Sequence, residues 1–155
     1  MSRPRAQALL RRGGERVAGL DRSRVAHAAI VRAIPVVIPR RFDAAAATGL
    51  SAVFELCIRD PDGRDPARFE LSVSPEGCVV RPGAARAPGA TATLGADDLI
   101  RLASGAAGWP HLLESGRLQL TGDPFLAIRF PLLFRLPARA PDSGAHLSGP
   151  PLPNR

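Results

Sequence analysis

Lysine and tyrosine are absent from these 155 residues, which hold a single Trp, a single Met and two Cys. Each scarcity excludes something. All 21 basic side chains are Arg, and with the heavy Ala, Gly and Pro usage this resembles the coding bias of a GC-rich genome. Arginine here is therefore weak evidence for phosphate recognition. Cys57 and Cys78 show no CxxC spacing and have no clustered His, so neither a zinc site nor a disulfide framework is indicated. Reduced, partly buried thiols are expected instead. No uncharged apolar run approaches the ~18 residues that a membrane span requires.

Acidic residues are scarce at one end only. Residues 1–41 carry ten Arg against Glu15 and Asp21, a balance of +8, whereas residues 42–155 balance to −1. The net charge of +7 thus belongs to an N-terminal arm, and the rest of the chain is nearly neutral. The arm has no aromatic residue before Phe42, so it lacks a base-stacking platform and nucleic acid is not the expected partner. An acidic protein or an anionic membrane surface is the partner that residues 1–41 would suit. The pairs Arg11-Arg12 and Arg40-Arg41 lack the apolar stretch of a twin-arginine signal, and "IPVVIP" is too short for a secretory core. The expected location is cytoplasmic.

Along the chain, "RPRAQALLRR" and "SRVAHAAIVRAI" have helical composition and are separated by Gly13-Gly14, which predicts two short helices. "RRFDAAAATG" predicts another, stopped by Gly49. Then the period changes to two. Ala52, Phe54, Leu56 and Ile58 face one way, and Val53, Glu55, Cys57 and Arg59 the other. "DPDGRDP" supplies a turn; "RFELSVS", "GCVVR" and "ATATL" continue as half-buried strands. "GADDLIRLASG" reads as a helix with Asp97 as N-cap and Gly105 as its stop, and "GRLQLTG" as a fifth strand. Asp123 can cap a last helix with Pro124 in its first turn. Residues 138–155, rich in Pro, Gly and Ser, have the composition of a disordered tail.

Material for catalysis is thin. His27, His111 and His146 fall in three separate segments, there is no G-x-S-x-G elbow, and Cys57 has no neighbouring His. Asp60, Asp62 and Asp65 lack the twelfth-position Glu of a calcium loop and sit where a hairpin must turn. No enzyme activity, metal or cofactor is expected.

The unusual feature is "PFLAIRFPLLFRL", apolar nearly all round from Phe125 to Leu136 and interrupted by Pro131. A surface helix is apolar along one stripe. Either the domain buries this segment on both sides, or the segment walls an internal cavity that receives an apolar guest. Pro131 removes a helical hydrogen bond and predicts a kink or an end there.

Taken in order, these motifs resemble the sterol carrier protein type 2 domain family. The resemblance runs from "IPRRFD" to "LFRL" through "FELCIRDPDG", "FELSVSPEGCVVRPG", "ATATLGADDLIRLASG" and "LLESGRLQLTGDPFLAIRF". Its most specific part is Gly105, eleven positions on Gly116-Arg117-Leu118, then Gly122-Asp123. Departures are Pro110, one residue late, bulky Leu112 and Leu113 where Ala is frequent, and Arg117 for the common Lys.

The resemblance implies an α+β fold: a five-stranded, mostly antiparallel sheet with helices on one face and an apolar tunnel between them. It implies non-catalytic carriage of a fatty acid, acyl-CoA, sterol-like or isoprenoid lipid. Mapped to this chain, the lipid-binding residues would be Phe54, Leu56, Leu99, Leu102, Trp109, Leu112, Leu113, Leu118, Leu120, Phe125, Ile128, Phe130, Leu133 and Phe134. Arg129, or an arginine of the arm, is the head-group candidate. The implied organisation is a basic helical arm (1–33), a lipid-binding domain (34–137) and a tail (138–155). Some members of that family present lipid intermediates to biosynthetic enzymes, as in ubiquinone assembly, so an accessory role through the Arg-rich arm is the alternative.

Overall fold

The computed structural model describes the backbone of residues 5–137 and the side chains of residues 22–137. The expected tail at 138–155 and His146 lie outside the described residues.

Period-two alternation builds the sheet as expected. β1 (Ala52–Arg59), β2 (Ala67–Ser74), β3 (Gly77–Pro82), β4 (Ala90–Gly95) and β5 (Gln119–Gly122) form five strands in the order β3-β2-β1-β4-β5. All neighbours are antiparallel except β1 and β4, which run parallel with Leu56 opposite Ala92. Register places Phe54, Leu56 and Ile58 beside Leu71, Phe69 and Ala67 on one side, and beside Ala90, Ala92 and Leu94 on the other. That face is the apolar one. The opposite face carries Arg68, Glu70, Thr91 and Thr93.

The tight turns follow from local chemistry. Asp60 accepts hydrogen bonds at Oδ2 from the Asp62 and Arg64 backbone N–H groups (3.0 and 3.2 Å), and Gly63 takes φ 71°. The acidic loop is a hairpin turn, as its composition indicates. No group of three or more His, Cys, Asp or Glu able to hold a metal stands among the described residues.

The connection from β3 to β4 crosses the polar face. Gly83 N–H donates to Arg68 O, Gly89 N–H to Val53 O, and Ala85 N–H to Glu55 Oε2 at 2.9 Å. This covers Glu55, only 5 % exposed, whose other oxygen takes Arg68 Nη1 at 2.9 Å. A buried carboxylate needs such partners, because an unpaired one is strongly destabilising.

Helices cover the apolar face. α1 (Arg5–Arg41) is a single 37-residue helix, not two helices broken at Gly13-Gly14. Glycine costs a helix only ~1 kcal/mol against Ala and does not forbid it. More notably, α1 continues through Pro35 and Pro39. Each costs roughly 3 kcal/mol by removing an N–H and crowding a carbonyl. Ile34 is 2 % exposed, and Ile30, Val31 and Ile38 pack against the same core, so burial worth ~1.5–3 kcal/mol for a full side chain offsets the two prolines. The helix also passes the boundary at residues 33 and 34 without a break.

After α1, Asp43 caps a 3-10 turn (Ala44–Ala47) by accepting from Ala45 N–H at 3.1 Å. α2 (Ala96–Ser104) begins two residues earlier than its sequence suggests. Its N-cap is Gly95, not Asp97, and Asp97 and Asp98 sit in the first turn, where the helix dipole favours negative charge. Gly105 closes α2 in the left-handed conformation, φ 75°. α3 (Trp109–Glu114) and α4 (Pro124–Arg129) complete the layer. Asp123 caps α4 by accepting from Leu126 N–H at 3.0 Å. Pro131 does end the helix: a 3-10 turn (Phe130–Leu133) follows, and Phe134 then pairs as an extended bridge with Phe42.

Both cysteines are free and buried. Burial pushes the Cys78 thiol from its ordinary 9.0 up to about 11. The neutral thiol therefore favours the folded state below pH 9, an advantage lost as pH rises from 9 toward about 11. In a thiol count with Ellman's reagent at pH 8, Cys78 is expected to react slowly in the native protein and promptly in denaturant. Fast native labelling of Cys78 would contradict its enclosure.

Candidate functional site

Between the helical layer and the sheet lies a cavity of about 240 Å³. Each wall comes from a different element. α1 contributes Ile30, Ala33, Ile34, Val37, Ile38 and Arg41. These positions recur at steps of three and four, one helical stripe that stays aimed at the sheet through both prolines. The floor is Leu56 from β1, Ala92 and Leu94 from β4, and Leu118 just before β5. The far wall is Leu99, Ile100, Leu102 and Ala103 from α2, with Trp109. Phe130, Pro131, Phe134 and Leu136 close the end.

The cavity is open because alanine stands where a larger side chain would fill it. Ala33, Ala92 and Ala103 face it from helix, floor and far wall. Protein interiors are ordinarily packed without such gaps.

Half of the residues expected at the site line this cavity: Leu56, Leu99, Leu102, Trp109, Leu118, Phe130 and Phe134. Phe54, Leu112 and Leu133 are fully buried beneath it in the core. Phe54 supports the end wall, its ring 5.1 Å from that of Phe130. Leu113 and Leu120 are half-buried against the core and do not line the cavity. Phe125 and Ile128 point outward, 65 % and 64 % exposed. The contribution of α1 was missed, although its spacing of apolar residues through 30–38 was a readable signal that the two prolines obscured.

Of the two head-group candidates, Arg129 and an arginine of the arm, only the second lines the cavity, as Arg41. Arg129 Nη2 donates to Ala46 O at 3.0 Å and its guanidinium lies 5.4 Å from the Phe125 ring centre, away from the cavity. Arg41 is the charged residue that lines it. Its Nη1 makes one long contact, 3.4 Å, to Arg135 O. The neighbouring carboxylate, Asp43, is taken by Arg135, whose hydrogen bond holds the Asp43 carboxyl below its ordinary 3.8. Arg41 thus pairs with no carboxylate among the described residues.

An ion pair between a buried carboxylate and a half-exposed arginine helps to position the far wall. Asp98, 5 % exposed, meets Arg117 with Nη2 2.6 Å from Oδ1 and Nε 3.2 Å from Oδ2. Oδ1 has the shorter approach but no well-angled hydrogen bond, so its share is Coulombic. Arg59 Nη1 donates to Arg117 O at 3.2 Å. Together they tie the first turn of α2 to the segment entering β5.

A mixed sheet of this order, with helices on one face over an apolar cavity, can be compared with known proteins. The model of the SCP-2 sterol transfer family matches residues 38–135. The chain belongs to this family. Its members' fold recurs in the solved structures. The crystal structure of sterol carrier protein 2 like 2 from Aedes aegypti is similar at TM-score 0.56 and 21 % identity, over 72 % of this chain and 98 % of that one. The solution structure of the palmitated form of that mosquito protein is similar at TM-score 0.50 and 20 % identity, covering 69 % and 88 %. The inverting sec-alkylsulfatase Pisa1 from Pseudomonas sp. contains the fold as well, at TM-score 0.51 and 17 % identity over 63 % of this chain. There the SCP-2-like part is a fragment, since this chain spans only 15 % of the sulfatase. No curated protein matches the chain. No helix among the described residues of this SCP-2 family member is long and apolar enough to cross a membrane.

Proposed function

We propose that the chain binds and carries a hydrophobic lipid in the cavity, shielding it from water without converting it. The observation that carries this reading is a 240 Å³ cavity whose lining is apolar except for Arg41. Each methylene moved from water into such a site is worth about 0.8 kcal/mol. A dozen would supply roughly 10 kcal/mol before the cost of association is met. Membership in the SCP-2 sterol transfer family and the palmitated state of the mosquito relative support the class of ligand.

Native mass spectrometry of gently purified protein tests the reading directly. A bound species of lipid mass that is released on denaturation is expected; apo protein alone, unable to take up any added fatty acid, acyl-CoA or sterol, would contradict it.

Arg41 is the proposed partner of an anionic head group. A hydrogen bond to a charged group contributes about 1.5–3 kcal/mol, toward the lower end at a half-exposed site. Arg41→Ala is therefore expected to weaken binding of a long-chain fatty acid about tenfold while leaving its methyl ester unaffected, measured by calorimetry. Equal losses for acid and ester would assign Arg41 to packing alone.

The charge of residues 1–41, ten Arg against two acids, favours a second reading in which the arm docks an acidic enzyme or an anionic membrane and presents the lipid there. Salt-sensitive capture of an enzyme partner by the full chain, lost when arm arginines are neutralised, is expected of that reading.

A further inference from the structure

The greasy segment that ends the fold has two sides, and the cavity uses only one. Ala127, Phe130 and Leu133 are buried, and Phe130, Pro131 and Phe134 line the cavity. On the outer side Phe125, Ile128 and Leu132 are 65 %, 64 % and 54 % exposed. Their spacing, three and then four residues, puts them on one face of α4 and the turn that continues it. Three large apolar side chains exposed on one face form a patch of the kind that often serves as a contact surface.

The charge around this face identifies what it contacts. Residues 124–137 contain Arg129 and Arg135 and no acid. Arg129 lies over the Phe125 ring, which places a guanidinium at the edge of the apolar stripe. Arg41 is joined to Arg135 through the main chain, Arg135 N–H donating to Arg41 O at 2.7 Å, and Arg40 precedes it. With Asp123 at the start of α4 and Asp43, paired with Arg135, the segments 40–43 and 123–137 together carry four Arg and two Asp. A stable protein–protein contact buries about 800 Å² on each partner, several times what three partly covered side chains can offer. Shallow insertion of large apolar residues beneath a rim of arginines is instead how a protein rests on an anionic bilayer.

We propose that the outer face of residues 125–132 is a membrane-contact surface. Phe125, Ile128 and Leu132 enter the boundary between head groups and acyl chains, and Arg129 with its neighbours meets the lipid phosphates. In that pose the cavity lies one side-chain layer from the bilayer, behind Phe130, Pro131 and Phe134.

Co-sedimentation of the full chain with vesicles tests this. One set is phosphatidylcholine alone; the other includes phosphatidylglycerol. The protein is expected to pellet with the anionic vesicles and to be released by salt. The triple variant Phe125→Ser, Ile128→Ser, Leu132→Ser is expected to lose at least about tenfold in partitioning. Because those residues do not line the cavity, its fatty-acid titration by Trp109 fluorescence should be unchanged, which separates this surface from the ligand site. Should the triple variant fail to fold, Ile128→Glu alone, at an exposed position, must still reduce partitioning. Wild-type sedimentation by the variants would overturn the proposal and assign membrane contact to the arm. Absence of the parent protein from both pellets would overturn it too, as would a concentration-dependent dimer abolished by the triple variant, since a second copy would then occupy the face.

Discussion

Ala103→Phe is expected to lower affinity for a long-chain fatty acid about 100-fold while the protein stays folded. Ala103 faces the cavity from α2, opposite the stripe of α1, and is only half-buried. A phenyl ring there grows into empty space instead of into packed neighbours, so the usual overpacking penalty of 1–3 kcal/mol is largely avoided. The ring would displace roughly four methylenes of guest, about 3 kcal/mol at 0.8 kcal/mol each. Filling the void also restores contacts that the lining lacks, so the thermal midpoint should hold or rise. Paired calorimetric titration and thermal denaturation read both quantities. Unchanged affinity in a folded variant would mean that the ligand binds elsewhere.

Gly122→Ala carries the largest expected effect on stability, a loss above about 3 kcal/mol. Gly122 adopts φ 103°, and a Cβ there would stand 2.5 Å from Gly89 O and 2.8 Å from Ala90 Cα. Those obstacles are backbone atoms of the neighbouring strand and cannot rotate away. Relief requires parting Ala90 from Gly122, the last pair of the β4–β5 ladder, and with it the entry to α4. Gly116→Ala is the control. Gly116 has φ 70° but nothing within 4 Å of the added carbon, so only the conformational penalty of about 1 kcal/mol applies. Urea denaturation of the two variants should separate them clearly; similar small losses would show that the β4–β5 edge yields easily.

Much of the fold was legible because its signals are local. Alternation in 52–59 and 68–74, Asp123 before Pro124 and Gly105 after α2 each reflect short-range chemistry, and all appear where the sequence places them. The long first helix was not legible, since Gly13-Gly14, Pro35 and Pro39 argue locally against it; the glycines are merely tolerated, and burial of Ile34 with Ile30, Val31 and Ile38 offsets the prolines. The same local signals hide the α1 wall of the cavity. Arg41 completes the apolar stripe at 30, 33, 34, 37 and 38, yet in sequence it looks like one more charge in a basic run. Depth was likewise unreadable: Phe54 and Leu56 share a strand face, but the first is sealed in the core and the second meets the cavity. In residues 125–136, hydrophobicity on every side conceals which side is in. The three-dimensional answer assigns Phe130 and Phe134 to the cavity and Phe125 and Ile128 to solvent.

The most direct test of lipid carriage uses the single Trp. Trp109 lines the cavity and no Tyr contributes emission. Titration of delipidated protein with a long-chain fatty acid is expected to change Trp109 fluorescence saturably, at one ligand per chain, and Ala103→Phe should move that change to about 100-fold higher ligand concentration. A flat titration across fatty acid, acyl-CoA and sterol, or a response that survives intact in Ala103→Phe, would contradict the assignment of this cavity as the lipid site.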